Sequence, residues 1–253
     1  MSYPKTLESK VALVVGGSGG IGAAASRLLA QAGAQVAVTY RPKGRGEAIA
    51  ADLIRALPGC EHLAWAVDVS STPSLIAFRD AITQKFGRLH ILVNAAGFTK
   101  PVPHADLDAL DDDLIDRMFE VNWRGQFATI RTFVPLLKAS GDGLIVCISS
   151  IAALTGVGSS IAYCAAKAGI DVMTKSLARV LAPEIRVLAV SPGVVDTAFV
   201  PGRDAEFNAK VAAAAPLQRI GRPEEIAAAI LACATHLTFS TGSTIVVDGG
   251  RAL

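Results

Sequence analysis

Tyr163 and Lys167 stand four residues apart in the segment "SSIAALTGVGSSIAYCAAKAG". On a helix this spacing places both side chains on one side. An ordinary tyrosine, with a pKa near ~10, is a poor acid–base group at neutral pH. An ammonium held close by favours the phenolate and is expected to draw that value toward the working range. Ser150 closes the apolar run before this segment and can hydrogen-bond a substrate oxygen. The small neighbours Cys164, Ala165, Ala166, Ala168 and Gly169 leave room for a flat ring against the same helical face. A Tyr-x-x-x-Lys pair also describes any amphipathic helix, so its meaning depends on the elements around it.

Those elements alternate. Apolar runs rich in Val and Ile at 11–15, 35–39, 63–67, 91–93, 144–148, 187–190 and 244–247 read as strands covered on both faces. Between them, 23–32, 74–86, 114–137, 161–181 and 224–234 read as helices. Gly33 and Gly87 are expected as left-handed helix ends, and Pro223 with Glu224 and Glu225 as a helix start. The pattern predicts an α/β chain, one Rossmann domain with a doubly wound parallel sheet flanked by helices. Its 253 residues contain no visible linker or repeat. Segment 194–216 breaks the rhythm and reads as a substrate lid.

Composition narrows the function. Half of the residues are hydrophobic and the net charge is +2, with no basic block, so a nucleic-acid partner is not expected. The opening "MSYPKTLESK" is polar, and the apolar stretch 226–234 is too short to span a bilayer. Cys60, Cys147, Cys164 and Cys233 lack metal or disulfide spacing, so no metal site is expected and the thiols read as buried in a reducing compartment. These features point to a soluble cytoplasmic protein with no membrane contact.

"VVGGSGGIG" follows the first strand and opens the first helix. Glycines there let the backbone turn tightly and approach a pyrophosphate, whose charge the helix N-terminus stabilises. The candidate contacts are Gly16, Ser18, Gly19, Gly20, Ile21 and Gly22. The spacing is not a strict GxGxxG, and a tight strand-to-helix turn would look similar. No Lys-Ser or Lys-Thr follows, which disfavours a mononucleotide P-loop. An NAD site presents an acid at the end of the second strand. Here Thr39, Tyr40 and Arg41 stand there, with Lys43 and Arg45 beyond. An arginine can pair with a 2′-phosphate that a carboxylate would repel, so NADP(H) is expected over NAD(H). Asp68, closing the third strand with Val69 after it, is placed either at the adenine or in a plain turn.

In order along the chain, "VGGSGGIG", "VDV", "LVNAAG", "VN" at Val121–Asn122, "ISS", "YCAAK", "SPGVVDT" and "GSTIVVDGG" resemble the motifs of a classical short-chain dehydrogenase/reductase, similar to 3-oxoacyl-(acyl carrier protein) reductase-like members. The resemblance implies a seven-stranded sheet, Tyr163 as general acid/base and Lys167 on the nicotinamide ribose. It implies that Ser150 orients the carbonyl or alcohol and that Asn122 holds a water relaying protons to Lys167. Asn94, Ala95, Ala96 and Gly97 would lie near the adenosine ribose, and Pro192, Gly193, Val195 and Thr197 would flank the nicotinamide. Val15 and Ala95 depart from the family pattern, where threonine and a second asparagine act as structural tethers. A homotetramer is the family expectation.

Carrier-protein reductases of this kind tend to carry arginines where this chain has Gly141 and Glu184, with Arg179 and Lys138 the possible substitutes. The substrate is therefore expected to be a small carbonyl or alcohol, free or carrier-bound. Phe98, Ala152, Leu154, Val194 and Phe199 are candidates for its pocket, with Ser150 at the reacting oxygen, while His104 reads as a loop histidine. Two other readings stay open: an NAD-dependent sugar, polyol or other alcohol dehydrogenase, and a non-catalytic nucleotide sensor.

Overall fold

The structure is a computed structural model that describes residues 6–42, 44–59 and 61–253. The first five residues, Lys43 and Cys60 lie outside it. Seven strands, β1 (Val11–Val15), β2 (Gln35–Tyr40), β3 (Leu63–Ala66), β4 (Ile91–Asn94), β5 (Gly143–Ile148), β6 (Ile185–Pro192) and β7 (Thr244–Val247), form one sheet. Its order is β3-β2-β1-β4-β5-β6-β7 and every pairing is parallel. The order reverses beside β1, which has β2 on one side and β4 on the other. In parallel sheets the ligand crevice lies at the strand C-termini beside such a switch point.

Consecutive strand residues serve opposite faces, which is why these strands are apolar throughout. Ala12, Val14, Val36, Val38 and Ile148 pack with Leu29 of α1 (Gly20–Gln31), Leu53 of α2 (Gly46–Ala56) and Ile230 of α9 (Pro223–Thr235). Val11, Leu13, Val15 and Ile145 pack with Phe78 of α3 (Thr72–Phe86), Phe133 of α5 (Gly125–Ala139) and Ile170 of α7 (Ile161–Leu181). The Phe78 and Phe133 rings meet edge to face, 5.7 Å apart, the arrangement that aromatic quadrupoles favour. Cys147, Cys164 and Cys233 are free thiols, all buried.

The helix punctuation follows the sequence expectations. Gly87 ends α3 with φ +69, Gly33 lies beyond α1 with φ +102, and Glu225 closes back on the Arg222 amide at the start of α9. Three features differ from the reading above. α2 was not among the expected helices, because its small buried face, Ala50 and Leu53, is a faint periodic signal. Segment 194–216 contains a helix, α8 (Ala205–Ala213), started by Asp204 accepting from the Phe207 amide at 2.8 Å. Only Val211 of α8 is buried, so it rides on the body rather than being packed within it. The expected helix 114–137 is divided into α4 (Asp112–Phe119), a π-helical turn (Glu120–Arg124) and α5.

At the sheet end opposite the glycine loop, two strand-opening amides donate to imidazole nitrogens. Val36 N–H reaches His62 Nδ1 and Val11 N–H reaches His90 Nδ1, both at 3.0 Å. Each ring must be unprotonated at Nδ1 to accept. Burial lowers the His90 pKa, and Lys10 and Arg88 add to the depression while Asp142 opposes it. A base with a depressed folded pKa contributes stability above its ordinary value, near 6.5, and loses it as the pH falls through the folded value. Chemical denaturation as a function of pH should therefore show stability falling below pH ~6.5. His90→Gln, which keeps an acceptor without titrating, should flatten that fall; an identical pH slope in the variant would refute the assignment.

Candidate active site

The site is built at the C-terminal ends of β1, β4, β5 and β6. Ser160, fully buried, starts α7 by accepting from the Tyr163 amide at 3.1 Å. This cap fixes the first turn of the helix and with it the direction of the Tyr163 side chain. One turn on, Lys167 is 3 % exposed and donates from Nζ to the Ile148 carbonyl at 2.7 Å. Ser149 Oγ donates to the Lys167 carbonyl at 3.3 Å, so β5 holds this lysine by both backbone and side chain. Ser150, the next residue, hydrogen-bonds the Tyr163 phenol. Ser150, Tyr163 and Lys167 are thus brought together as expected.

The charge balance between them differs from the expectation. Burial pushes the Tyr163 phenol up to about 12, with the Ser150 hydrogen bond opposing the shift. Burial pulls Lys167 down to about 8, with Cys147 and Asp171 opposing. The ammonium sits over the ring face, 5.6 Å from its centroid, and is spent on a carbonyl. Burial governs the Tyr163 shift and leaves the phenol a protonated donor near neutral pH.

Asn122 lies in the π turn and is fully buried. Its Nδ2 donates to the carbonyls of Phe98 (2.8 Å) and Met118 (2.9 Å), and its Oδ1 accepts from Phe98 N–H (3.1 Å). Both amide hydrogens are committed, and the side chain staples the backbone of Phe98, a candidate pocket residue. Nothing in the local sequence of Asn122 announced this role.

The glycine loop leaves β1 through Gly16, which has φ +78 and packs against the backbone of Ala95 and Ala96. A side chain at Gly22 would fall on the Gly16 carbonyl. Gly19 caps α1 without any side-chain bond, and no acid stands in the first helical turn. Ser18 is half-buried, while Gly19 and Gly20 are exposed and Ile21 is half-buried beside them. An uncapped helix start behind a bare backbone turn is a fit for a pyrophosphate. Thr197 stands directly over Gly20, which brings segment 194–216 to the loop. Pro192 ends β6, Gly193 packs on Asp248 and donates to the Val247 carbonyl, and Val195 is buried.

Tyr40 is half-buried and Arg41 exposed at the end of β2. Asp68 Oδ1 accepts from the Ser70 amide (2.9 Å) and hydroxyl (2.5 Å), which, with help from Arg117 and Arg41, holds its carboxyl below the usual range. Asp68 thus anchors a turn and also lies in the field of Arg41. Val69 packs on Gly125. Asn94 is buried and donates to the Gln126 carbonyl at 3.0 Å, tying β4 to α5. Gly97 lies beside Asn122 Oδ1 and the Phe199 ring, and that ring lies 6.2 Å from Tyr163. Ala152 is buried and Val194 half-buried, whereas Leu154 is 56 % exposed at the rim.

With this geometry the chain can be set beside known proteins. A family model described as Enoyl-(Acyl carrier protein) reductase matches residues 16–252. The chain is 39 % identical to cis-4-hydroxycyclohexanecarboxylate dehydrogenase of Sinomonas cyclohexanicum, with 95 % of this chain and 96 % of that one covered. It is 33 % identical to a 3-oxoacyl-(acyl-carrier-protein) reductase of Thermotoga maritima, over 96 % and 98 %. A chain of Burkholderia xenovorans solved as a short-chain dehydrogenase/reductase superposes with a TM-score of 0.90 at 34 % identity, covering 96 % and 97 %. The chain belongs to the short-chain dehydrogenase/reductase family, as a classical member similar to the 3-oxoacyl-(acyl carrier protein) reductases. It is an oxidoreductase of the ketoreductase and alcohol dehydrogenase type, and membership implies a nicotinamide dinucleotide. Among the described residues no helix is long and apolar enough to cross a membrane.

The burial of Tyr163 has a direct readout. Ultraviolet titration of the free protein should show a phenol ionising near 12 that is missing from Tyr163→Phe. A Tyr163-dependent step at or below the ordinary tyrosine value would overturn the protonated-donor assignment.

Proposed function

We propose that the protein is an NADP(H)-dependent reductase that moves a hydride between the nicotinamide and the carbonyl or secondary alcohol of a small, largely apolar molecule. The carrying observation is that Ser150 meets the Tyr163 phenol and the Lys167 ammonium lies over the same ring, at the strand ends that also carry the glycine loop. When bound, the dinucleotide supplies or accepts the hydride. Ser150 orients the substrate oxygen and Tyr163 delivers the proton to it. The phenolate left behind is the charge that the Lys167 ammonium, buried and close, is placed to stabilise. Phe98 and Phe199, both beside the Tyr163 ring, together with Ala152 and Val194 give the substrate an apolar lining.

Arg41 and the absence of an acid at Thr39 or Tyr40 support NADP(H). The 39 % identity to a cyclohexane-ring alcohol dehydrogenase supports a second reading of direction, oxidation of a ring alcohol by the same residues. Both readings share the catalytic set and differ only in which way the hydride runs. The kinetic test is a panel of β-keto esters, cyclic ketones and alcohols, run in both directions with both dinucleotides. Tyr163→Phe should lose turnover and keep dinucleotide binding; comparable turnover would refute its role. Arg41→Ala should weaken NADPH roughly ten- to a hundredfold while leaving NADH unchanged, since a charge-assisted pair contributes about 1.5–3 kcal/mol. Equal or tighter binding of NADH than NADPH by the native protein would remove the NADP(H) assignment.

A further inference from the structure

Thr39 is 2 % exposed near the end of β2. The ladder between β1 and β2 runs from Val11–Gln35 to Val14–Val38. β1 continues one step farther along β4, to the pair Val15–Asn94, and then the chain turns at Gly16. There the Gly16 amide donates to Thr39 Oγ1 at 3.0 Å. The side chain of the next β2 residue thus continues the pairing beyond the last backbone rung. On its other side, Gly16 lies against Ala96, so close that a Cβ would stand 2.8 Å from the Ala96 nitrogen. Its carbonyl accepts from Gly19 at 3.3 Å, which closes the loop on itself. Gly16 is therefore held from β2, from the segment after β4, and from within the loop.

We propose that Thr39 is a positioning residue for the dinucleotide: by holding the Gly16 amide, it fixes the loop and the start of α1 in the geometry that receives the pyrophosphate. Val15 cannot supply such a tether. It has no hydroxyl, and its side chain is fully buried among Leu13, Val67 and their neighbours. The polar anchor stands on the adjacent strand, where a threonine can reach across the end of the ladder without breaking the core. The proposal rests on the dinucleotide reading of the loop. It makes a distinct demand, because the pyrophosphate is common to both dinucleotides whereas Arg41 addresses only the 2′-phosphate.

The test uses Thr39→Val, which keeps shape and removes the acceptor, and Thr39→Ser, which restores it. Dissociation constants for NADPH and NADH are measured by ligand fluorescence, Gly16 amide hydrogen exchange in the free protein by NMR, and kcat at saturating dinucleotide. Thr39→Val should raise both dissociation constants roughly three- to tenfold, the range of a single net hydrogen bond. It should also speed Gly16 exchange, with kcat within about twofold of native. Thr39→Ser should behave as the native protein. Unchanged constants in Thr39→Val, a loss confined to NADPH, or no rescue by serine would each overturn the proposal. If Thr39→Val does not fold, the native protein still decides, since an unprotected Gly16 amide there refutes the tether. Failure of the native protein to bind either dinucleotide would instead bring down the reading of the loop, with Gly16 protection still reporting the tether by itself.

Discussion

Everything at this site depends on a positive charge kept where water is scarce. Burying an ammonium is costly unless its hydrogens find partners, and Lys167 has the Ile148 carbonyl at 2.7 Å and an aromatic face nearby. That carbonyl is at the last residue of β5, so the cost is met only if α7 lies in one axial position against the sheet. The Ser149 bond to the Lys167 carbonyl and the Ser160 cap on Tyr163 hold the same alignment from two further points. Once it is held, Ser150 necessarily meets the phenol, because it follows Ser149 at the strand end. The geometry that performs the chemistry is thus a by-product of housing the charge.

The same low-polarity surroundings divide the labour between the two titrating groups. Burial raises the phenol and lowers the ammonium, each toward its neutral form. Near neutral pH the phenol is uncharged and Lys167, at about 8, still carries its proton, so a negative charge develops only as a proton leaves Tyr163. An environment of this kind favours a transition state in which charge appears between groups already in place, rather than a ground state that carries it permanently.

Much of this was readable from residue types. The strands were visible because both faces of each had to be apolar, and Gly33, Gly87 and Pro223 marked helix ends by backbone chemistry alone. The chemical pair was visible because Tyr163 and Lys167 share a helical face. What stayed hidden came from contacts between segments distant in sequence. The grip of Asn122 on Phe98 and the reach of Thr39 to Gly16 join elements that only the sheet order brings together. The balance of Lys167 against Tyr163 escaped because proximity can be inferred from spacing, whereas desolvation requires knowing what else is packed there. α2 escaped because two buried residues give too faint a period.

The π turn at Glu120–Arg124 carries a consequence of phase. An α-helix advances about 100° per residue, and a π turn inserts one residue without adding a full step of rotation. α4 and α5 therefore run on as one rod whose two halves are clocked differently. Before the slip, Leu114 and Met118 face Val102 and Ala162 under the pocket; after it, Ile130, Phe133 and Leu137 face the sheet. Asn122 sits at the slip itself, where Trp123 also reaches across to the Gly169 carbonyl. Removing one residue there would turn everything downstream by about a quarter of a circle, swinging Phe133 off the sheet. The helix keeps its extra residue because one rod must serve two surfaces that do not share an angle.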